Sequence, residues 1–222
     1  MPRAALSQDQ VEDFRDTLCA CATRLFAEQG YEGVTMRALA RRLGCSAMTP
    51  YRYFENKAEI FETVRSAAAQ RFGAAIERAV ADHPDHVPRL RAMCHAYVGF
   101  ALEEPHAYRI MFELDAKPRP AQQTREDLRG WLAMNEAVAE AIAAGVLDGD
   151  PGVVAHLLWS GVHGLVALHL AGMLAFGMGL EELVEAFLDR ELERSRSPRS
   201  IHPESHSQRG IQNEPGPHAA DG

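Results

Sequence analysis

Between Arg37 and Lys57 the chain gathers five cations, Arg37, Arg41, Arg42, Arg52 and Lys57, against the lone anion Glu55, a local net of +4. Tyr51, Tyr53 and Phe54 crowd in behind Pro50. Guanidinium groups and phenolic hydroxyls can meet phosphate oxygens, and the small residues Ser46, Ala47 and Thr49 allow close approach to base edges. The rest of the chain has the opposite sign. Residues 81–222 hold 12 Lys/Arg against 21 Asp/Glu, and the whole chain carries a formal charge of -8. A basic segment on an acidic body suggests one small anion-contacting surface, not a protein that is basic all over. A solvated helix face can gather such a run by chance, so the surrounding elements must decide.

The other groups with chemical potential point less far. His156 and His163 lie seven residues apart on one helical face, and His169 falls nearly opposite His156. That is not the i, i+4 pair of a zinc protease, and no Glu neighbours them. Buried or interface histidines are the simpler reading, and neither a metal nor a cofactor is expected. No nucleophile elbow, phosphate loop or dinucleotide fingerprint occurs, so no enzyme is expected. Of the four cysteines, Cys19 and Cys21 are two apart on a helical stretch and diverge. The opening "MPRAALSQDQ" lacks the apolar core of a secretory leader, and a reducing cytoplasm is the expected compartment.

The elements that must position these residues read as helix almost throughout. The expected fold class is all-α, with about nine helices. Val11, Phe14, Leu18, Ala22, Leu25 and Phe26 recur at three- and four-residue steps, giving a first helix from about Gln8 to Gln29, stopped by Gly30. Thr35 caps a short second helix that Gly44 ends. Ser46 caps a third through Tyr53, kept short by Pro50. Asn56 caps a fourth, with Glu59 placed as in a capping box, reaching about Ala81.

Two short helices around a glycine-containing turn form a helix-turn-helix, whose second helix enters the DNA major groove. Leu43 and Phe54 can then bury inward while Tyr51 and Tyr53 present hydroxyls to phosphates. Lys57 opens the fourth helix against the macrodipole, which a phosphate there would favour. An ordinary solvated lysine is the plain alternative.

Residues 25–64, "LFAEQGYEGVTMRALARRLGCSAMTPYRYFENKAEIFETV", resemble the DNA-binding domain of the TetR (tetracycline-repressor-like) family. The chain departs from the pattern at Pro50, where an aliphatic residue is usual. "AYVGFALEEPHAYRIMFEL" (96–114) and "LLWSGVHGLVALHLAGML" (157–174) resemble a C-terminal domain of that family marked by a Trp and a His-Gly. The resemblance implies a symmetric homodimer on palindromic double-stranded operator DNA, usually a repressor released by a small molecule. It puts DNA contacts on Thr35, Met36 and Arg37, then on Ser46, Ala47, Met48 and Thr49, then on Tyr51, Arg52, Tyr53 and Lys57. Base readout would lean on Thr49 and Arg52, with apolar contact to thymine methyls.

The expected organisation is a flexible N-terminus (1–8), a DNA-binding domain (9–65), a ligand-binding and dimerisation domain (82–194), and a disordered tail (195–222) rich in Ser, Pro, Gly and His. Within the second domain, helices are expected over 87–102, 108–112, 128–144, 151–174 and from Leu180, with a loop at 115–121. The helix from Pro151 is apolar nearly all round. Its histidines and the lack of basic flanks argue against a membrane span, and the resemblance assigns the last two helices to the dimer. Gly161 and Gly164 would permit close approach there. An effector site is expected among Tyr97, Phe100, Tyr108, Met111 and Phe112, with Trp131, Met134, Trp159 and His163, fitting a largely apolar ligand. The competing readings are an architectural DNA binder without ligand control and a metal-dependent helical enzyme. Effector, operator, regulated genes and the sign of regulation are not written in the sequence.

Overall fold

The structure, a computed structural model, describes residues 8–112, 124–174 and 177–196. Among them are eight α-helices: α1 (Gln8–Gly33), α2 (Met36–Arg42), α3 (Lys57–Ala81), α4 (His86–Glu103), α5 (Pro105–Phe112), α6 (Arg129–Ala143), α7 (Pro151–Leu170) and α8 (Leu180–Arg194). The expected loop at 115–121, the first seven residues and the tail beyond Arg196 lie outside the described residues. Ser195 and Arg196, expected in the tail, instead pair with the turn after α6, where Asp148 N–H donates to the Ser195 carbonyl at 2.7 Å.

Local signals set the helix ends. Gly30 adopts φ 71°, which ends the regular run of α1, and one further turn carries it to Gly33. Thr35 accepts from the Ala38 N–H at 3.1 Å and caps α2. Asn56 accepts from Glu59 N–H at 3.0 Å and caps α3, while the Glu59 carboxylate reaches back to the Glu55 N–H at 2.6 Å. Asp150 accepts from Val153 N–H at 2.9 Å and caps α7, with Pro151 in its first turn. Pro105 opens α5, so that helix begins three residues before the expected Tyr108. Gly172, at φ 68°, closes α7 sooner than the expected Leu174.

The third helix differs from expectation. In its place the chain makes turns and a single 3-10 turn over Pro50–Arg52. Pro50 lacks the N–H that would bond the Ser46 carbonyl, and its ring crowds that carbonyl. Ser46 O is taken by the Thr49 N–H at 2.8 Å, one residue short of an α-helical bond. The third expected helix is therefore this 3-10 turn, and eight α-helices are described where about nine were expected.

Two apolar clusters form the core. The first joins Leu18 and Phe26 of α1, Leu39 of α2, Phe54, and Ile60, Phe61 and Val64 of α3. The second joins the later part of α3 (Ala68, Ile76) to α4, α6, α7 and α8 through residues such as Leu90, Met93, Leu158 and Leu188. Helix α3 therefore serves both clusters. So does α5, since Ile110 packs in the first and Tyr108 in the second.

Helix α7 is the one described helix long and apolar enough to cross a membrane. Its Val154, Leu158, Val162 and Val166 face the second core, yet Val153, Leu157 and Leu168 stay exposed on the other side. A helix with two apolar sides and one of them open suits a contact with a second chain. Gly161 has a different role from the one expected. A Cβ there would sit 2.2 Å from the Phe187 ring of α8, so its close approach lies within the chain, whereas Gly164 faces open space.

Candidate nucleic-acid interface and effector cavity

The basic segment wraps one end of the first core. Gly44, at φ 65°, turns the chain after α2, with Gly44 N–H bonded to Arg41 O and Cys45 N–H to Ala40 O. Past the turn, Ser46, Ala47, Met48, Tyr51 and Arg52 are exposed, Met48 at 67% and Tyr51 at 47%. Thr35 and Arg37 at the start of α2 are exposed as well, as are Arg41 and Arg42 at its end. The segment thus offers cations, a phenol and small residues on one side and anchors itself by Pro50 and Phe54 on the other.

Four expected contact residues are placed differently: Thr49 is half-buried, and three more pack against the first core or α1. Met36 is 6% exposed and packs in the first core. Tyr53 is half-buried and stacks on Phe14 with ring centroids 4.7 Å apart. Lys57 bends back to α1: its Nζ donates to the Tyr31 carbonyl at 2.9 Å, lies 4.3 Å from the centre of the Tyr31 ring, and sits 3.4 Å from Glu32. Arg15, which the sequence pattern did not single out, completes the anchor. Its guanidinium lies 4.2 Å over the Phe54 ring and donates to the Tyr53 carbonyl at 3.3 Å.

A cavity of about 170 Å³ opens inside the second core, between α3, α4, α5, α6 and α7. Six of the nine expected effector residues line it: Tyr97, Met111, Phe112, Trp131, Met134 and Trp159. The other three stand behind the wall. Phe100 packs on Phe72, centroids 5.4 Å apart, and Phe72 does line the cavity. The Tyr97 and Tyr108 hydroxyls each lie 2.8 Å from His163 Nδ1, and 3.4 Å from one another. This triangle ties α4, α5 and α7 together at the cavity's edge.

Sequence reasoning missed the polar end of this cavity. Arg65 of α3 and Asp127, in the turn before α6, both line it. Arg65 donates from Nε and Nη2 to Glu62 at 3.1 and 2.9 Å, and its Nη2 lies 3.7 Å from Asp127. Thr124 and Asp127 exchange backbone-to-side-chain bonds at 3.2 Å each, a capping box whose Thr-x-x-Asp spacing was the available signal. Cys94 lines the cavity too, but burial pushes its thiol up to about 12, so it is no nucleophile at neutral pH. Among the described residues no group of three or more His, Cys, Asp or Glu could hold a metal ion.

Residues 18–64 match the model for bacterial regulatory proteins of the tetR family, and residues 90–194 match the tetracyclin repressor-like C-terminal domain. The HTH-type transcriptional activator FasR of Mycolicibacterium smegmatis (strain ATCC 700084 / mc(2)155) is 27% identical over 159 residues, 71% of this chain and 69% of that protein. A solved Rhodococcus sp. RHA1 protein of unknown function superposes with a TM-score of 0.70 at 28% identity, covering 89% of this chain and all of that one. A TetR family transcription regulator from Marinobacter aquaeolei VT8 also gives a TM-score of 0.70, at 20% identity over 86% of this chain and all of its own. The last likeness bears on the fold alone.

Proposed function

Because this chain belongs to the tetR family of bacterial regulatory proteins, we propose that it is a homodimeric, sequence-specific DNA-binding regulator that leaves its operator when a small ligand fills the cavity. The DNA-reading unit is residues 9–65 and the ligand-binding and dimerising unit residues 82–194. Thr35, Arg37, Thr49, Tyr51 and Arg52 meet the DNA, with Ala47 and Met48 against thymine methyls. Two copies join through α7 and α8, with the open apolar side of α7 at the contact, and read a palindrome whose half-sites lie about 34–36 Å apart or a multiple of that.

One observation carries the ligand-controlled reading: α5 belongs to both cores. Phe112 lines the cavity, Tyr108 is bonded to His163 of α7, and Ile110, two residues on, is 3% exposed in the core beneath the DNA-reading segment. Filling the cavity presses on Phe112, and an eight-residue helix transmits that shift to Ile110. An architectural DNA binder needs neither the cavity nor this link.

We read operator occupancy as repression. The likeness to FasR, described as an activator, favours a second reading in which the same occupancy promotes transcription and the ligand withdraws it. The test is selection of bound duplexes from a random-sequence library, followed by titration of the recovered operator with and without a compound panel. A recovered palindrome whose affinity falls when a compound binds is the expected result. Binding that ignores sequence, or that no compound shifts, defeats the proposal, and a reporter placed behind the operator decides the sign.

A further inference from the structure

The cavity's electrostatics narrow its ligand further than its apolar walls do. Asp127 is held with its side chain 6% exposed. Its Oδ2 accepts from the Thr124 N–H, while Oδ1 is shut from solvent without a hydrogen-bond partner. Arg65 does not neutralise it fully, because that guanidinium already gives two bonds to Glu62. Arg65, Glu62 and Asp127 together carry a formal charge of -1. A sheltered carboxylate with so few donors is unfavourable, and a positive charge in the cavity beside Asp127 offsets it best.

The remaining walls point the same way. Phe72, Phe112, Trp131 and Trp159 turn aromatic surface to the cavity, and aromatic faces attract cations. His156 also lines it. Its Nδ1 lies 2.6 Å from the Gly152 carbonyl, which can only accept, so Nδ1 carries a proton. An anion would meet the net charge of -1 at this end, and the Arg65 guanidinium that also lines the cavity already gives two bonds to Glu62. A wholly apolar ligand would leave the net charge of -1 at this end unbalanced. The volume, about 170 Å³, is close to that of an apolar cavity that takes up one benzene ring, about 150 Å³.

We propose that the cavity takes a small monocation with a body of about one aromatic ring, its protonated amine placed against Asp127. This deepens the effector reading above and rests on it for the link to DNA. The chain's two tryptophans, Trp131 and Trp159, both line the cavity, so intrinsic fluorescence of the full-length protein reports its occupancy. Three probes of like size separate the alternatives: 2-phenylethylammonium, the neutral propylbenzene and the anionic 3-phenylpropanoate.

On the wild-type protein the ammonium should bind at least tenfold more tightly than propylbenzene, and the carboxylate more weakly than either. Asp127→Asn keeps an oxygen for the Thr124 N–H and should reduce the ammonium to the level of propylbenzene. The wild-type ranking needs no variant, so a misfolded Asp127→Asn leaves the test intact. Equal or tighter binding of propylbenzene or the carboxylate, an undiminished ammonium preference in Asp127→Asn, or no fluorescence response to any of the three overturns the proposal. Titration of the selected operator separates it from the effector reading. Ammonium binding through Asp127 that leaves operator affinity unchanged upholds this inference and removes effector control. Release of DNA by the carboxylate or propylbenzene but not by the ammonium upholds effector control and removes this inference.

Discussion

The ammonium of Lys57 fastens the start of α3 to the end of α1 through the Tyr31 carbonyl and ring. About a quarter of the side chain stays exposed, at 26%, so solvent screens part of the interaction. Lys57→Ala should cost about 1 kcal/mol of stability in urea unfolding, from a charge-assisted hydrogen bond and a π contact. If the ammonium also turns out to phosphate on the operator, the same variant lowers the log–log salt slope of binding by about 1 for all sequences alike. We expect both effects; an unchanged slope would leave Lys57 a structural clasp alone. Cys94 makes a pH prediction at the same scale. Its thiol stays protonated in the fold to about 12, against an ordinary value of 9.0. Between those limits the unfolded chain releases the proton and the folded one keeps it. This contribution is complete below pH 9 and is lost as pH rises, by up to about 1.4 kcal/mol per unit. In urea titrations from pH 7 to 10.5, Cys94→Ala should lack this added slope, so the wild type's lead over it should narrow only above pH 9.

Pro50 decides the form of an entire element. With alanine there, an N–H becomes available for the Ser46 carbonyl, and the segment from Ser46 to Tyr53 can close an α-helical turn. Pro50→Ala should therefore show a protected amide at position 50 in hydrogen exchange and a changed operator preference, since exposed Met48, Tyr51 and Arg52 would be re-aimed. Free exchange at that amide would mean that something other than the proline holds the 3-10 turn. What was legible in the sequence at this scale was local. Thr35, Asn56 and Pro151 announce helix starts because each acts on backbone groups within three residues of itself. The helical repeat of α1 was legible for the same reason, and so was its stop at Gly30. The third helix was misread because Ser46 was credited as a cap while the effect of Pro50 on that same carbonyl was undercounted. Aromatic and Met residues on α4 to α7 pointed to the cavity, since an apolar surplus at helical spacing must face something. Its charged end did not show, because Arg65 and Asp127 meet only after α3 and the turn before α6 have packed. Gly161 shows the same limit. Its spacing promised a close contact, but only the fold reveals that Phe187 of the same chain fills it.

The whole molecule divides the work between two apolar surfaces of α7, and two glycines distinguish them. Gly161→Ala must displace the Phe187 ring and should destabilise each chain by about 1–3 kcal/mol. Gly164→Leu meets open space within the chain, so helical content should survive. If the open side of α7 forms the dimer, sedimentation should nevertheless show Gly164→Leu shifted toward monomer, with operator affinity falling in step. A dimer of normal strength would move the interface elsewhere. Coupling between cavity and DNA is the property on which the regulator reading depends. The long helix α3 is one joint, since Lys57 opens it and Ile76 reaches the second core. The structure adds α5, which is shorter and touches both cores within three residues, from Tyr108 to Ile110. Ile110→Val removes one methylene from the first core at a cost of about 0.5–1.5 kcal/mol, small enough to keep the fold. It leaves the cavity walls and the exposed basic segment untouched. Ligand affinity and ligand-free operator affinity should each stay within a few fold of wild type. The factor by which ligand weakens operator binding, typically 5–150-fold in such systems, should shrink. Reciprocity then requires that operator DNA weaken ligand binding by the same reduced factor. Paired titrations, operator with and without ligand and ligand with and without operator, measure both sides. A variant whose two factors match the wild type would place the connection in α3 alone.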